Sequence, residues 1–137
     1  MTTRRIQWAL AAVFFILGGW ALVAPKSVID LALRPEYRSG GVILPFAVAC
    51  FGSQAVISGL FAGFSRFTRT TFLVYGVALL PFFVFDAWFT FVQPFFTAVG
   101  LLDAVGNVVM LALCGLGWRS LRAPGQDEGP GGASGAF

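Results

Sequence analysis

Residues 70–92 read TTFLVYGVALLPFFVFDAWFTFV, and they carry a single charge, Asp86. A helix that crosses a bilayer needs ~20 mainly apolar residues. Strands of a membrane barrel are ~10 residues long and alternate polar with apolar. This stretch is too long and too continuously apolar for a strand, and only helices or closed barrels satisfy their backbone groups in lipid. It is therefore predicted to be a membrane-spanning helix.

Three further spans appear on either side. Residues 6–24 are uncharged and end at Pro25. Residues 40–64 lie between Arg38 and Arg66. Residues 95–118 carry one charge, Asp103. The chain has 137 residues, of which 58% are hydrophobic and 11% charged, with a mean hydropathy of +0.84. Soluble domains are roughly 25% charged, so a soluble fold and a disordered chain are both excluded. The expected fold is all-α, a four-transmembrane-helix antiparallel bundle over residues 1–122. Residues 123–137 are Gly/Pro-rich and are expected to form a flexible tail. The first span also follows Arg4 and Arg5 in the manner of a secretory leader. It is longer than the ~7–15 apolar residues of such leaders, so a retained helix is expected.

Lys and Arg set orientation through their bias to the cytoplasmic side. One side carries Arg4, Arg5, Arg66, Arg69, Arg119 and Arg122, the other Lys26, Arg34 and Arg38. Both termini are thus expected in the cytoplasm, for a multi-pass protein of the bacterial inner membrane. Trp8 and Trp118 fall at the inner interface and Trp20 and Trp88 near the outer one, where amphipathic rings belong. The connection from Pro25 to Ser39 contains SVIDLAL (27–33), which suits either a short surface helix or an extended loop. The other two connections, 65–69 and Gln93-Pro94, are short, so the helices they join are expected to be adjacent.

A charge at the centre of a bilayer costs ~2.5–3.5 kcal/mol on insertion scales, so Asp86 and Asp103 need a reason. At 1.5 Å per residue they lie about 10 Å and about 13 Å from the outer loop. A contact is expected if both face inward, and two carboxyls in low dielectric would not both ionise. On the fourth span Asp103, Asn107, Met110 and Cys114 share a face. On the second, Cys50, Ser53, Gln54 and Ser58 form a stripe, and on the third Thr90 shares the face of Asp86. These groups are expected to meet in one polar seam, with Arg38 or Arg34 as alternative charge partners for Asp86. The seam reads either as interhelical glue or as a proton, ion or ligand site. Gly59 and Gly63 make a GxxxG that suits packing within the bundle or between copies. Gly18 and Gly19 suit close helix approach or a thinned wall.

The net charge of +3 gives no basis for nucleic-acid binding. With no His and no metal-spaced Cys, no catalytic residue and no metal site is assigned, and the chain is not expected to be an enzyme. Sixteen phenylalanines suit lipid contact, and also a flat apolar ligand such as a quinone, pigment or lipid. Lipid, other membrane subunits or further copies are the expected partners.

The order of elements resembles that of the small four-helix bacterial membrane proteins of the DoxX-like type. Gly18-Gly19 lies in a first helix that exits through Ala24-Pro25. An outer segment follows, then Arg38-Ser39-Gly40-Gly41 before the second helix, then two closely connected helices. That resemblance implies a four-helix membrane fold and, for some members, redox chemistry. It carries no functional residue over to this chain. The leading expectation is an accessory or scaffold subunit, or an apolar-ligand-binding partner, of a larger membrane complex. The alternatives are a proton-coupled transporter or channel using the aspartates, and a redox-linked membrane protein.

Overall fold

The computed structural model describes residues 2–38 and 40–121. The tail expected over 123–137 lies outside the described residues. Helix α1 spans Thr3–Val23, α2 Pro25–Ala32, α3 Ile43–Phe64, α4 Arg69–Ala87 and α5 Leu102–Ser120. A single π-turn, Trp88–Val92, prolongs α4. Four of these elements (α1, α3, α4 with its π-turn, and α5) are long and apolar enough to cross a membrane. Their outward surface is apolar along most of its length, with Ile16, Phe46, Phe61 and Phe91 all exposed. A soluble bundle would place charge there. Helices in lipid have no such need.

Local chemistry explains the boundaries. Pro25 opens α2, where its missing N–H and fixed φ are harmless. The 27–33 segment is thus helical through Ala32. At the start of α4, Thr68 Oγ1 accepts from Thr71 N (3.1 Å), and Thr71 Oγ1 accepts from Thr68 N (3.2 Å). This reciprocal cap satisfies two donors that a helix start leaves free. Helix α4 continues through Pro81.

The last span departs from the sequence expectation. It starts at Leu102 rather than residue 95, and the Gln93-Pro94 connection extends to residue 101. The cause is competition for backbone groups. Thr97 N donates to Ala32 O (2.8 Å), Arg34 N to Phe95 O (3.1 Å) and Phe95 N to Phe89 O (2.9 Å). Leu33 and Phe96 form an isolated antiparallel bridge. Residues 95–97 therefore bond to the end of α2 and to the π-turn, and cannot join a helical ladder. Gly100 is required here, since a Cβ would lie 2.5 Å from Ala32 O.

The packing is not a ring of sequential neighbours. Helix α1 lies along α3, α4 lies along α5, and α1 joins the two pairs through α5. The short connection between α3 and α4 does not make them pack along their length. They diverge from it, because α3 is drawn to α1 by small residues. A Cβ on Gly52 would lie 2.6 Å from Gly18 O, and one on Gly18 would lie 2.5 Å from Ala55 Cβ. Gly59 seats Phe14 and Phe15, and Gly63 seats Trp8 and Ala11. The GxxxG thus packs inside the chain. Gly19 has open space around it and does not join the contact.

The core lies toward the end that holds both described termini. Ile6, Leu10, Ala11, Ala62 and Phe72 are buried there. Gln7, 4% exposed, donates from Nε2 to Ala62 O (3.2 Å) and Ser65 O (2.7 Å), tying α1 to the end of α3. The hydroxyls of Thr3 and Ser120 lie 3.5 Å apart, so α1 begins where α5 ends. Arg4 stacks on Trp8 and Arg69 on Trp118 at this same end.

Candidate functional site

Asp86, Asp103 and Asn107 come together. Asn107 Nδ2 donates to Asp86 Oδ2 (3.1 Å) and to Asp103 Oδ2 (3.3 Å). Asp103 and Asn107 are one turn apart on α5, and Asp86 reaches them from α4. One amide therefore bridges two carboxyls on neighbouring helices. Asp103 stands in the first turn of α5, not about 13 Å along a span. There the helix dipole favours a carboxyl group. Asp86 is followed at once by the π-turn, in which Gln93 N donates to Trp88 O (3.0 Å). Such turns widen a helix and recur beside functional sites.

Beside this cluster is a cavity of about 280 Å³ with walls from all four long helices. Its apolar lining includes Phe14, Leu17, Phe51, Phe82 and Met110, and its polar groups include Gln54, Asp103 and Asn107. The mouth follows from the divergence of α3 and α4. Phe51 and Gln54 on α3 and Ala78 and Phe82 on α4 line the cavity and are exposed. They mark an opening sideways, toward where lipid would lie. Toward the termini, the cleft is closed by Tyr75 of α4, whose hydroxyl donates to Ser58 O of α3 (3.3 Å). The Tyr75 ring packs against Phe14 and Phe67.

A second cavity of about 370 Å³ lies toward the other end, beneath α2 and residues 95–100. Both cavities have Leu17 and Phe51 in their walls, and Asp103 likewise lies in the walls of both chambers.

The remaining sequence-predicted residues take other places. Ser53 and Thr90 neither line these cavities nor bond to the carboxyl cluster. Gln54 shares the cavity wall with Asn107 without a hydrogen bond between them. Arg38 donates from Nε and Nη2 to Leu33 O (3.0 and 2.9 Å), and Arg34 donates from Nε to Phe96 O (3.2 Å). The two guanidinium groups bond to carbonyls of the α2 end and of the connection before α5 rather than pairing with Asp86. Leu33 O is left free where α2 ends and Phe96 O lies in the non-helical connection before α5, and a nearby carbonyl satisfies Arg without the cost of moving charge inward. Cys50 and Cys114 are both free thiols.

Gly52, Tyr75 and Gln7 carry structural weight that the sequence reading missed. Gly52 was detectable, since Gly52, Ala55, Gly59 and Gly63 recur along one face of the span. Gln7 was also visible as the lone amide in an otherwise apolar span. Tyr75 had no comparable signal. Comparison with family models, curated proteins and solved structures finds no match, so the reading of the site rests on its geometry.

Proposed function

We propose that this chain is a small multi-pass protein of the bacterial inner membrane, with both termini cytoplasmic, that holds an apolar molecule in the cleft between α3 and α4. In this reading it serves a larger membrane complex as an accessory, ligand-holding subunit and is not itself an enzyme. The carrying observation is the cavity itself: mostly apolar walls, a few convergent polar groups and a mouth opening sideways. Small-molecule sites are typically concave and apolar with a small number of placed polar groups. The excess of Arg at the end bearing the described termini supports the orientation.

Extraction of the full chain in mild detergent, followed by mass spectrometry of the retained lipophilic molecules, tests the reading. Ala78→Phe fills the mouth from an exposed position and is expected to abolish retention while the helical circular-dichroism signal persists. Equal retention by wild type and variant refutes the cleft as the binding site.

A second reading, proton-coupled movement of a small solute, is favoured by one observation. Asp86 and Asp103 share a single donor, Asn107, so a proton arriving at either carboxyl alters the bonding of the other. Proton flux into proteoliposomes that is lost in Asp86→Asn is the result this reading requires.

A further inference from the structure

The unused hydrogen-bonding groups at the cavity wall favour one kind of ligand. Asn107 is only 3% exposed, and its amide nitrogen is taken by the two carboxyls. Its Oδ1 has no partner among the described residues, and the residue lines the cavity. The assignment of oxygen and nitrogen follows from those neighbours, since an N–H and not a carbonyl bonds to two carboxyl oxygens. Asp103 likewise uses one oxygen for Asn107 and leaves Oδ1 unbonded among the described residues. The Asp103 and Asn107 end of the cleft thus offers acceptors, while the Gln54 amide in the same wall offers both donors and an acceptor. Among the described residues no Lys or Arg lines the cavity.

Acceptors select donors. A carboxylate or phosphate head would add negative charge beside two carboxyls, and a ketone or ether would find its donors at Gln54 rather than at Asp103 and Asn107. A protonated amine brings up to three donors and a compensating charge, and charge-assisted bonds are the stronger kind. The faces of Phe14, Phe51 and Phe82 supply an aromatic wall, which also suits a cation. The chamber is too small for a long chain, but its sideways mouth lets a tail continue into lipid.

We propose that the cleft binds lipophilic amines, with the amino head against Asp103 and Asn107 and the apolar body leaving between Phe51 and Phe82. This rests on the cleft being a ligand site, as proposed above, and names the chemistry of its ligand.

The test uses decylamine, decanol and decanoate, which share a chain and differ in the head. Each is titrated by calorimetry into the full chain in nanodiscs of zwitterionic lipid, with empty discs as the blank. The expected result is saturable binding of decylamine at least tenfold tighter than decanol, with no saturable binding of decanoate. Asp103→Asn is expected to remove the preference for the amine and leave decanol unchanged. The proposal is overturned if the amine and alcohol bind equally, if decanoate binds best, or if Asp103→Asn keeps the preference. Equal binding of all three that disappears in Ala78→Phe overturns the amine selectivity while the cleft stands as a site. Absence of saturable binding by all three overturns both. The wild-type series alone decides between these outcomes should Asp103→Asn fail to fold.

Discussion

Replacing Asn107 by Leu removes the only side chain that, among the described residues, donates to both Asp86 and Asp103. Two bonds disappear at once, one between α4 and α5 and one within α5. Interhelical bonds in membranes average ~0.6 kcal/mol by double-mutant cycles, with a maximum near ~1.7. The loss also leaves two part-buried carboxyls without a donor, and an unsatisfied buried group costs ~1–3 kcal/mol. Together these give a destabilisation of about 2 kcal/mol for Asn107→Leu. The triple variant Asp86→Leu, Asn107→Leu, Asp103→Leu has nothing left unsatisfied. Removal of all partners together is often near neutral, so the triple variant is expected to be more stable than the single one. Unfolding of the full chain in mixed micelles at increasing dodecyl sulfate fraction, followed by tryptophan fluorescence, measures both. A single variant within about 0.5 kcal/mol of wild type, or a triple variant less stable than the single, refutes the bridging role of Asn107.

Gly52→Ala forces a Cβ into the backbone of α1 and is expected to cost about 1–3 kcal/mol, whereas Gly19→Ala meets open space and is expected to be neutral or stabilising. The same micelle titration ranks the pair. Gln7→Leu frees Ala62 O and Ser65 O, and faster amide exchange is expected over residues 62–68 with the first half of α3 unchanged. In a background of Cys50→Ala and Cys114→Ala, Thr2→Cys should react with a membrane-impermeant maleimide only after the inner membrane is breached. Gln93→Cys should react before that, and the reverse pattern would invert the proposed orientation.

The spans were legible because each depends on one property, unbroken apolar length, that the bilayer imposes on every residue alike. The start of α5 was not. Residues 95–101 are as apolar as a span, and their departure from helix depends on bonds with Ala32 and Arg34, more than sixty positions away in the chain. That Asp103 and Asn107 share a face was readable from helical period, but the depth of Asp103 was not, because the helix that sets it starts only at Leu102. The placement of Arg34 and Arg38 was not readable either, because it depends on carbonyls left free at Phe96 and at the end of α2. The divergence of α3 from α4 also escaped loop length. It follows from competition between a short connection and the small-residue contact of Gly18 with Gly52, and the contact prevails along most of the helix. That outcome opens the cleft, so the least legible part of the fold is the part that shapes the site.

The sideways mouth between Phe51 and Phe82 changes the scale on which affinity counts. A guest arriving through it comes from the leaflet, by diffusion in two dimensions, without first crossing water. Its relevant abundance is its mole fraction among lipids, which for a greasy molecule far exceeds its level in the surrounding fluid. A millimolar dissociation constant corresponds to only about −4 kcal/mol, and that strength would fill the cleft with a minor membrane component. Exchange would then be rapid, since weak binding leaves a short residence time.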